Sequence, residues 1–116
     1  MLDRSTGVYL LHLASPLSGS RAQHYIGYSR DVRARILSHQ AGHGARFTRA
    51  AVNQHIPFDV VRFWPCPTMT SAMYVERSLK RRHNHADYCP ICQARRELGF
   101  PQQHRPLVGR TVSPKV

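Results

Sequence analysis

Apolar residues divide the chain into short segments, three of which have the character of β-strands. Residues 6–13 are rich in Val, Tyr and Leu, and residues 24–28 follow after a turn that contains Pro16 and Gly19. These two segments predict a hairpin with a long loop. Residues 58–64 predict a third strand, which Pro65 closes.

The remaining periodic segments predict helices. The first runs to about residue 40, with Ser29 as the expected N-cap, and the second covers residues 45–55. Thr70 is the expected N-cap of a helix over residues 71–82, and a short helix is expected over residues 93–98. The order strand, strand, helix, helix, strand, helix predicts a small α/β sandwich. Its helices flank a three-stranded, mainly antiparallel sheet.

A chain of 116 residues fits one domain. We expect that domain to occupy residues 1–100, with residues 83–100 as an extension that contains a Cys pair. Residues 101–116 contain three prolines and little periodicity, so they predict a loosely ordered tail.

Charge indicates the class of partner. Lys and Arg number 17 against 6 Asp and Glu, a net charge of +11. Such an excess favours a polyanion such as DNA over a surface that is merely basic. The longest apolar run is interrupted by His12, and the first residues are polar, so neither a membrane span nor a signal peptide is expected. The expected location is therefore the cytoplasm.

Glu76 stands out in the helix after Thr70. Three residues form the inward stripe of that helix: Ala72, Val75 and Leu79. Glu76 falls at the edge of the stripe, where a carboxylate is costly unless it meets a cation or a metal ion. The alternative is an ordinary ion pair with Arg35 or with a helix neighbour such as Lys80.

Arg35 and His39 lie along the border of the first helix, four residues apart and therefore side by side. Upstream of them are two triplets, Gly7-Val8-Tyr9 and Tyr25-Ile26-Gly27. Together these residues resemble the GIY-YIG nuclease superfamily, with Val8 in place of the Ile of the first triplet. The resemblance continues through the segment 44–49 and Glu76, and covers roughly residues 6–82.

The resemblance implies a role for each matching residue. Tyr9 would be the general base or the relay that takes a proton from the attacking water, hydrogen-bonded to His39. Tyr25 would orient the water or a phosphate oxygen, and Arg35 would hold the scissile phosphate. Glu76 would hold a single Mg²⁺ or Mn²⁺. The implied activity is metal-dependent endonuclease cleavage of DNA.

Basic residues outside this site are expected to contact the DNA backbone. They are Arg46, Arg49, Lys80, Arg81 and Arg82. The sequence leaves open whether the DNA is duplex, single-stranded or branched, and which oligomeric state the protein has.

The spacing Cys89-Pro90-Ile91-Cys92 predicts a candidate structural Zn²⁺ site, which needs two further ligands. The nearby candidates are four residues: Cys66, His83, His85 and His104. The alternative is a pair of partly buried thiols in a tight Pro turn, and the surroundings do not favour a redox role. The competing function is a non-catalytic nucleic-acid-binding module with a structural zinc site. Four retained residues argue against that module: Tyr9, Arg35, His39 and Glu76.

Overall fold

The computed structural model describes residues 6–82 and 85–99. Along them lie strand β1 (Gly7–Leu13), strand β2 (His24–Ser29), helix α1 (Val32–Gln40), helix α2 (Arg46–Asn53), strand β3 (Phe58–Pro65), helix α3 (Met69–Lys80), a 3-10 helix (His85–Tyr88) and helix α4 (Pro90–Glu97). The predicted α/β fold with a three-stranded antiparallel sheet is confirmed. The expected tail at residues 101–116 lies outside the described residues.

Strand β1 is the centre of the sheet, whose order is β2-β1-β3. All seven of its residues are buried, which requires helices on both faces. Tyr9 and Leu11 pack with residues of α1, whereas Val8 and Leu10 pack with α3 and with the segment around α4. Successive side chains of a strand point to opposite faces, so β1 divides the core into two layers. Truncating a buried Leu of this strand to Ala should cost about 2–5 kcal/mol.

The starts of α1, α3 and α4 differ from the predicted ones by two or three residues. Asp31 caps α1 by accepting a hydrogen bond from the Ala34 amide at 3.1 Å, so Ser29 is not the cap. Thr68 rather than Thr70 caps α3, because its side chain and that of Ser71 each accept from the other's amide. Helix α4 begins at Pro90, since the fixed φ of proline suits a first helical turn.

Across residues 6–82 and 85–99, no helix combines the length and the apolar character that crossing a lipid bilayer requires.

Candidate active site

Tyr9 and Tyr25 lie on the sheet face that α1 covers. Tyr9 is paired with Gly27 across β1 and β2, and its ring centroid lies 6.3 Å from that of Tyr25. A Cβ atom on Gly27 would overlap the Tyr9 hydroxyl and crowd the Tyr25 ring. The glycine that ends the second triplet therefore provides the space in which the Tyr9 phenol lies.

A buried chain of hydrogen bonds leads away from Tyr9. The Tyr9 hydroxyl lies 2.7 Å from His39 Nε2, and His39 Nδ1 lies 2.7 Å from Thr48 Oγ1. Thr48 donates its single hydroxyl proton to the Ala45 carbonyl oxygen at 3.1 Å, so its oxygen accepts from His39 Nδ1–H. Nε2 of the neutral imidazole then carries the lone pair, and it accepts from the Tyr9 O–H. The hydrogen bonds thus fix one tautomer of His39.

His39 is fully buried, although its position in α1 predicts a place at the edge of the buried face. The segment after α1 covers its ring, and a Cβ atom on Gly44 would overlap Nδ1. Burial, with a smaller contribution from the charge of Arg35, lowers the pKa of His39 from 6.5 to about 4. At neutral pH the imidazole is therefore uncharged, as its acceptor role towards Tyr9 requires.

The phenol of Tyr9 is held in its protonated form. Burial and then the neighbouring Tyr25 raise its pKa above the ordinary value of 10. Arg35 acts in the opposite direction through a hydrogen bond and its charge, but burial outweighs it.

Glu76 lies near enough to Tyr9 for its charge to affect the phenol. Its Oε2 lies 2.9 Å from Lys80 Nζ, so the ion pair considered from the sequence is present. The Glu76 side chain is 15% exposed and that of Lys80 48%. A helical pair of this kind contributes only about 0.3–0.5 kcal/mol, and Lys80 can move into solvent. A carboxylate that is accessible in this way fits Mg²⁺ or Mn²⁺, which take one or two carboxylates beside water and phosphate oxygens.

Basic side chains surround the two tyrosines. Lys80 Nζ lies 6.0 Å from the Tyr25 ring centroid. The ring of Phe47, in α2, stacks on the same Tyr25 ring at a centroid distance of 5.7 Å. Helix α2 and the end of α3 therefore border the site. The five residues predicted to contact nucleic acid are all exposed on these two segments: Arg46, Arg49, Lys80, Arg81 and Arg82.

Sequence reasoning missed Gly44, Phe47 and Thr48. All three fall in the segment 44–49, which was interpreted only as a basic stretch. Arg46 and Arg49 alternate there with the residues that contact His39 and Tyr25. Thr48 lies in the first turn of α2, whereas Gly44 precedes the N-cap Ala45, so no helical spacing in the sequence relates these two residues.

A second polar cluster lies on the opposite face of the sheet. It contains Cys89 and Cys92, as the sequence predicted, but its other members are His12 and His24, whose ligand atoms and those of the two thiols all lie within 4.8 Å of one another. Among the described residues the cluster includes neither Cys66 nor His85. His83 and His104, the other two candidates, lie outside the described residues.

The two thiols of this cluster have pKa values shifted in opposite directions. A hydrogen bond with Cys92, aided by His12 and His24, holds the pKa of Cys89 well below its ordinary value. The same bond, followed by burial, raises the pKa of Cys92. A thiolate among imidazoles is chemically suited to a soft divalent cation.

Comparison with known proteins identifies the family. The model of the GIY-YIG catalytic domain matches residues 6–88. The protein therefore belongs to the GIY-YIG family, and this domain is of a nuclease type.

Similar curated proteins are UPF0213 proteins. One from Streptococcus sanguinis is 37% identical over 62 residues, which are 53% of this chain and 67% of the relative. One from Halalkalibacterium halodurans is 39% identical over 56 residues, 48% of this chain and 55% of the relative. One from Streptococcus pneumoniae is 36% identical over 59 residues, 51% of this chain and 56% of the relative. The chain thus spans between about half and two thirds of these relatives' lengths. No solved structure matches.

Proposed function

We propose that the protein is a metal-dependent endonuclease that hydrolyses DNA phosphodiester bonds. The observation that carries the proposal is the buried chain from Tyr9 through His39 to Thr48, with Arg35 and Glu76 beside its open end. Cross-strand packing alone would account for a tyrosine at position 9. It does not account for a buried His39 that is held in one tautomer and accepts a hydrogen bond from the Tyr9 phenol. Such a chain is suited to moving a proton.

Tyr9 acts as a relay rather than as a phenolate. As water attacks phosphorus, one of its O–H bonds breaks and the proton passes to the Tyr9 oxygen. The original Tyr9 proton passes at the same time to His39 Nε2. The phenol is neutral before and after this step, which agrees with its raised pKa. The proton ends on His39, whose Nδ1–H remains bonded to Thr48.

Arg35 couples this proton transfer to substrate binding. Its charge helps to keep His39 neutral in the free protein. A phosphate bound to Arg35 offsets that charge, so His39 becomes a stronger base when DNA is in place. The guanidinium also stabilises the charge that develops on the phosphoryl oxygens, and Tyr25 orients the water or a phosphate oxygen.

Glu76 would hold the Mg²⁺ or Mn²⁺, with Lys80 displaced from its ion pair. When bound there, the ion polarises the phosphoryl group and neutralises the leaving oxygen. Residues 1–100 would form the catalytic domain, and the exposed basic residues of α2 and the end of α3 would bind the DNA backbone.

A cleavage assay tests the relay. Labelled single-stranded, duplex and flap DNAs with Mg²⁺ should reveal at least one substrate, and Tyr9→Phe should abolish its cleavage while leaving DNA binding intact. Tyr74→Phe is the matched control, because Tyr74 is exposed on α3. DNA binding without cleavage of any substrate would favour the non-catalytic module instead.

The metal is tested separately with Glu76→Gln. This substitution should abolish cleavage but preserve the fold and DNA binding, and EDTA should abolish cleavage by the unmodified protein. The matched control is Asp59→Asn, an exposed carboxylate on β3. Undiminished cleavage by Glu76→Gln or in EDTA would refute the role of Glu76.

A further inference from the structure

The His/Cys cluster stands apart from the proposed catalytic residues. His12 and His24 are cross-strand partners on β1 and β2, whereas Cys89 is the N-cap of α4 and Cys92 lies in its first turn. Because side chains alternate along a strand, His12 and His24 lie on the face opposite Tyr9 and Tyr25. The proposed nuclease chemistry uses none of these four residues.

The distances in the cluster match the edges of a tetrahedron around zinc. Zinc bonds of about 2.3 Å to sulphur and about 2.0 Å to nitrogen imply about 3.3 Å between two nitrogens and about 3.5 Å between nitrogen and sulphur. His12 Nδ1 lies 3.2 Å from His24 Nε2. The sulphur of Cys89 lies 3.4 Å from His12 Nδ1, and that of Cys92 lies 3.8 Å from His12 Nδ1 and 3.4 Å from His24 Nε2.

We propose that His12, His24, Cys89 and Cys92 bind one structural Zn²⁺. Two thiolates and two imidazoles provide a complete tetrahedral set, which leaves no position for water or substrate. Both thiols and His12 are buried, as expected for a closed structural site. This ion is distinct from the one that Glu76 would hold.

The zinc explains how the segment 85–99 is attached to the sheet. The larger apolar side chains of α4 contribute little, since Ile91 is 40% exposed and Leu98, just after the helix, is 70% exposed. Four ligand bonds would connect this segment to both strands of the hairpin that carries the tyrosines. His24 directly precedes Tyr25, so the ion also restrains the strand on which the proposed active site is built.

A disulfide between Cys89 and Cys92 is the chemical alternative for this spacing. Neither cysteine forms a disulfide in the structure, and a disulfide would not use the two histidines. A metal site requires all four residues, whereas a disulfide requires only the cysteines. The two histidines therefore discriminate between the alternatives.

The first test uses the unmodified protein, purified under reducing conditions without chelator. Elemental analysis should find about one Zn²⁺ per chain. Cobalt-substituted protein should show the visible absorption of tetrahedral Co²⁺ and a near-ultraviolet thiolate charge-transfer band. Removing the metal should lower the melting temperature, and added Zn²⁺ should restore it.

Substitutions then assign the ligands. Each of Cys89→Ser, Cys92→Ser, His12→Asn and His24→Asn should lower the zinc content from about one to less than about 0.3 per chain under mild chelation. Cys66→Ser and His43→Asn, at positions outside the cluster, are the matched controls and should retain zinc. Glu76→Gln should also retain it, which separates failure of this site from failure of the nuclease proposal.

Three results would overturn the proposal. One is unmodified protein that neither contains Zn²⁺ nor takes it up with a change in melting temperature. Another is a zinc content that both histidine substitutions leave unchanged. The last is protein purified under reducing conditions whose intact mass is two hydrogens lower than the mass expected for free thiols, which would show that Cys89 and Cys92 form a disulfide.

Discussion

Replacing Thr48 with Val removes one hydroxyl from the chain that fixes His39. Val keeps the branched shape of Thr, so the perturbation is chemical rather than steric. The Ala45 carbonyl loses the Thr48 hydroxyl but still accepts from the Arg49 amide at 2.9 Å. The Nδ1–H group of His39 loses Thr48 Oγ1 as its acceptor, and His39 is fully buried.

The magnitude follows from that single unsatisfied donor. Leaving a buried polar group without a partner costs about 1–3 kcal/mol, so we expect Thr48→Val to lower the free energy of unfolding by about 2 kcal/mol. For a domain of this size each kcal/mol lowers the melting temperature by about 4–8 °C. The melting temperature should therefore fall by about 10 °C. His39 would also be free to adopt the other tautomer, in which Nε2–H cannot accept the Tyr9 proton.

The assay compares Thr48→Val with Thr48→Ser. Ser keeps the hydroxyl and loses one methyl group, which costs only about 1 kcal/mol. In thermal melts Val should be the less stable variant. In cleavage assays the Thr48→Val variant should lose at least about tenfold in kcat with little change in KM, as expected when a residue that orients a reacting side chain is removed. Ser should restore most of the rate.

Equal stability and equal kcat for the two variants would refute the reasoning. A loss of kcat that Ser does not restore would show that Thr48 acts through packing, not through its hydrogen bond to His39.

The remaining predictions concern charge. Arg35→Ala should remove turnover with only modest weakening of DNA binding. Joint replacement of Arg81 and Arg82 by Ala should instead weaken DNA binding and reduce its salt dependence in filter-binding titrations. Equal effects of the two changes on DNA binding would contradict this division. Because folding lowers the pKa of His39 from 6.5 to about 4, the unfolded chain binds that proton more tightly. His39 should therefore contribute full stability above pH 6.5 and lose about 3 kcal/mol as the pH falls to about 4. Denaturant titrations of His39→Gln should lack this component of the pH dependence. Cleavage should also fall as the pH approaches 4, since protonated His39 cannot accept from the phenol.

Local patterns were sufficient for the elements and for the residues of the family motif. Alternating and helical periodicity located the three strands and the helices before α4, because each pattern reflects the burial of one face of a single element. The two triplets, Arg35, His39 and Glu76 were recognisable in order, since their spacing within each element is a local property. The helix caps were less predictable, because several neighbouring Ser, Thr and Asp side chains can cap the same helix.

Only the tertiary structure decided which distant residues meet. Thr48 and Gly44 complete the surroundings of His39 because the segment between α1 and α2 folds back over its ring, and no periodicity predicts that return. His12 and Cys89 are separated by 77 residues in the sequence. They meet because β1 is the central strand and the segment around α4 packs on the sheet face opposite α1. The register of β1 with β2 then sets His24 beside His12. Register and packing are long-range properties. The sequence therefore indicated the two cysteines of the proposed zinc site, whereas the two histidines could be identified only from the sheet.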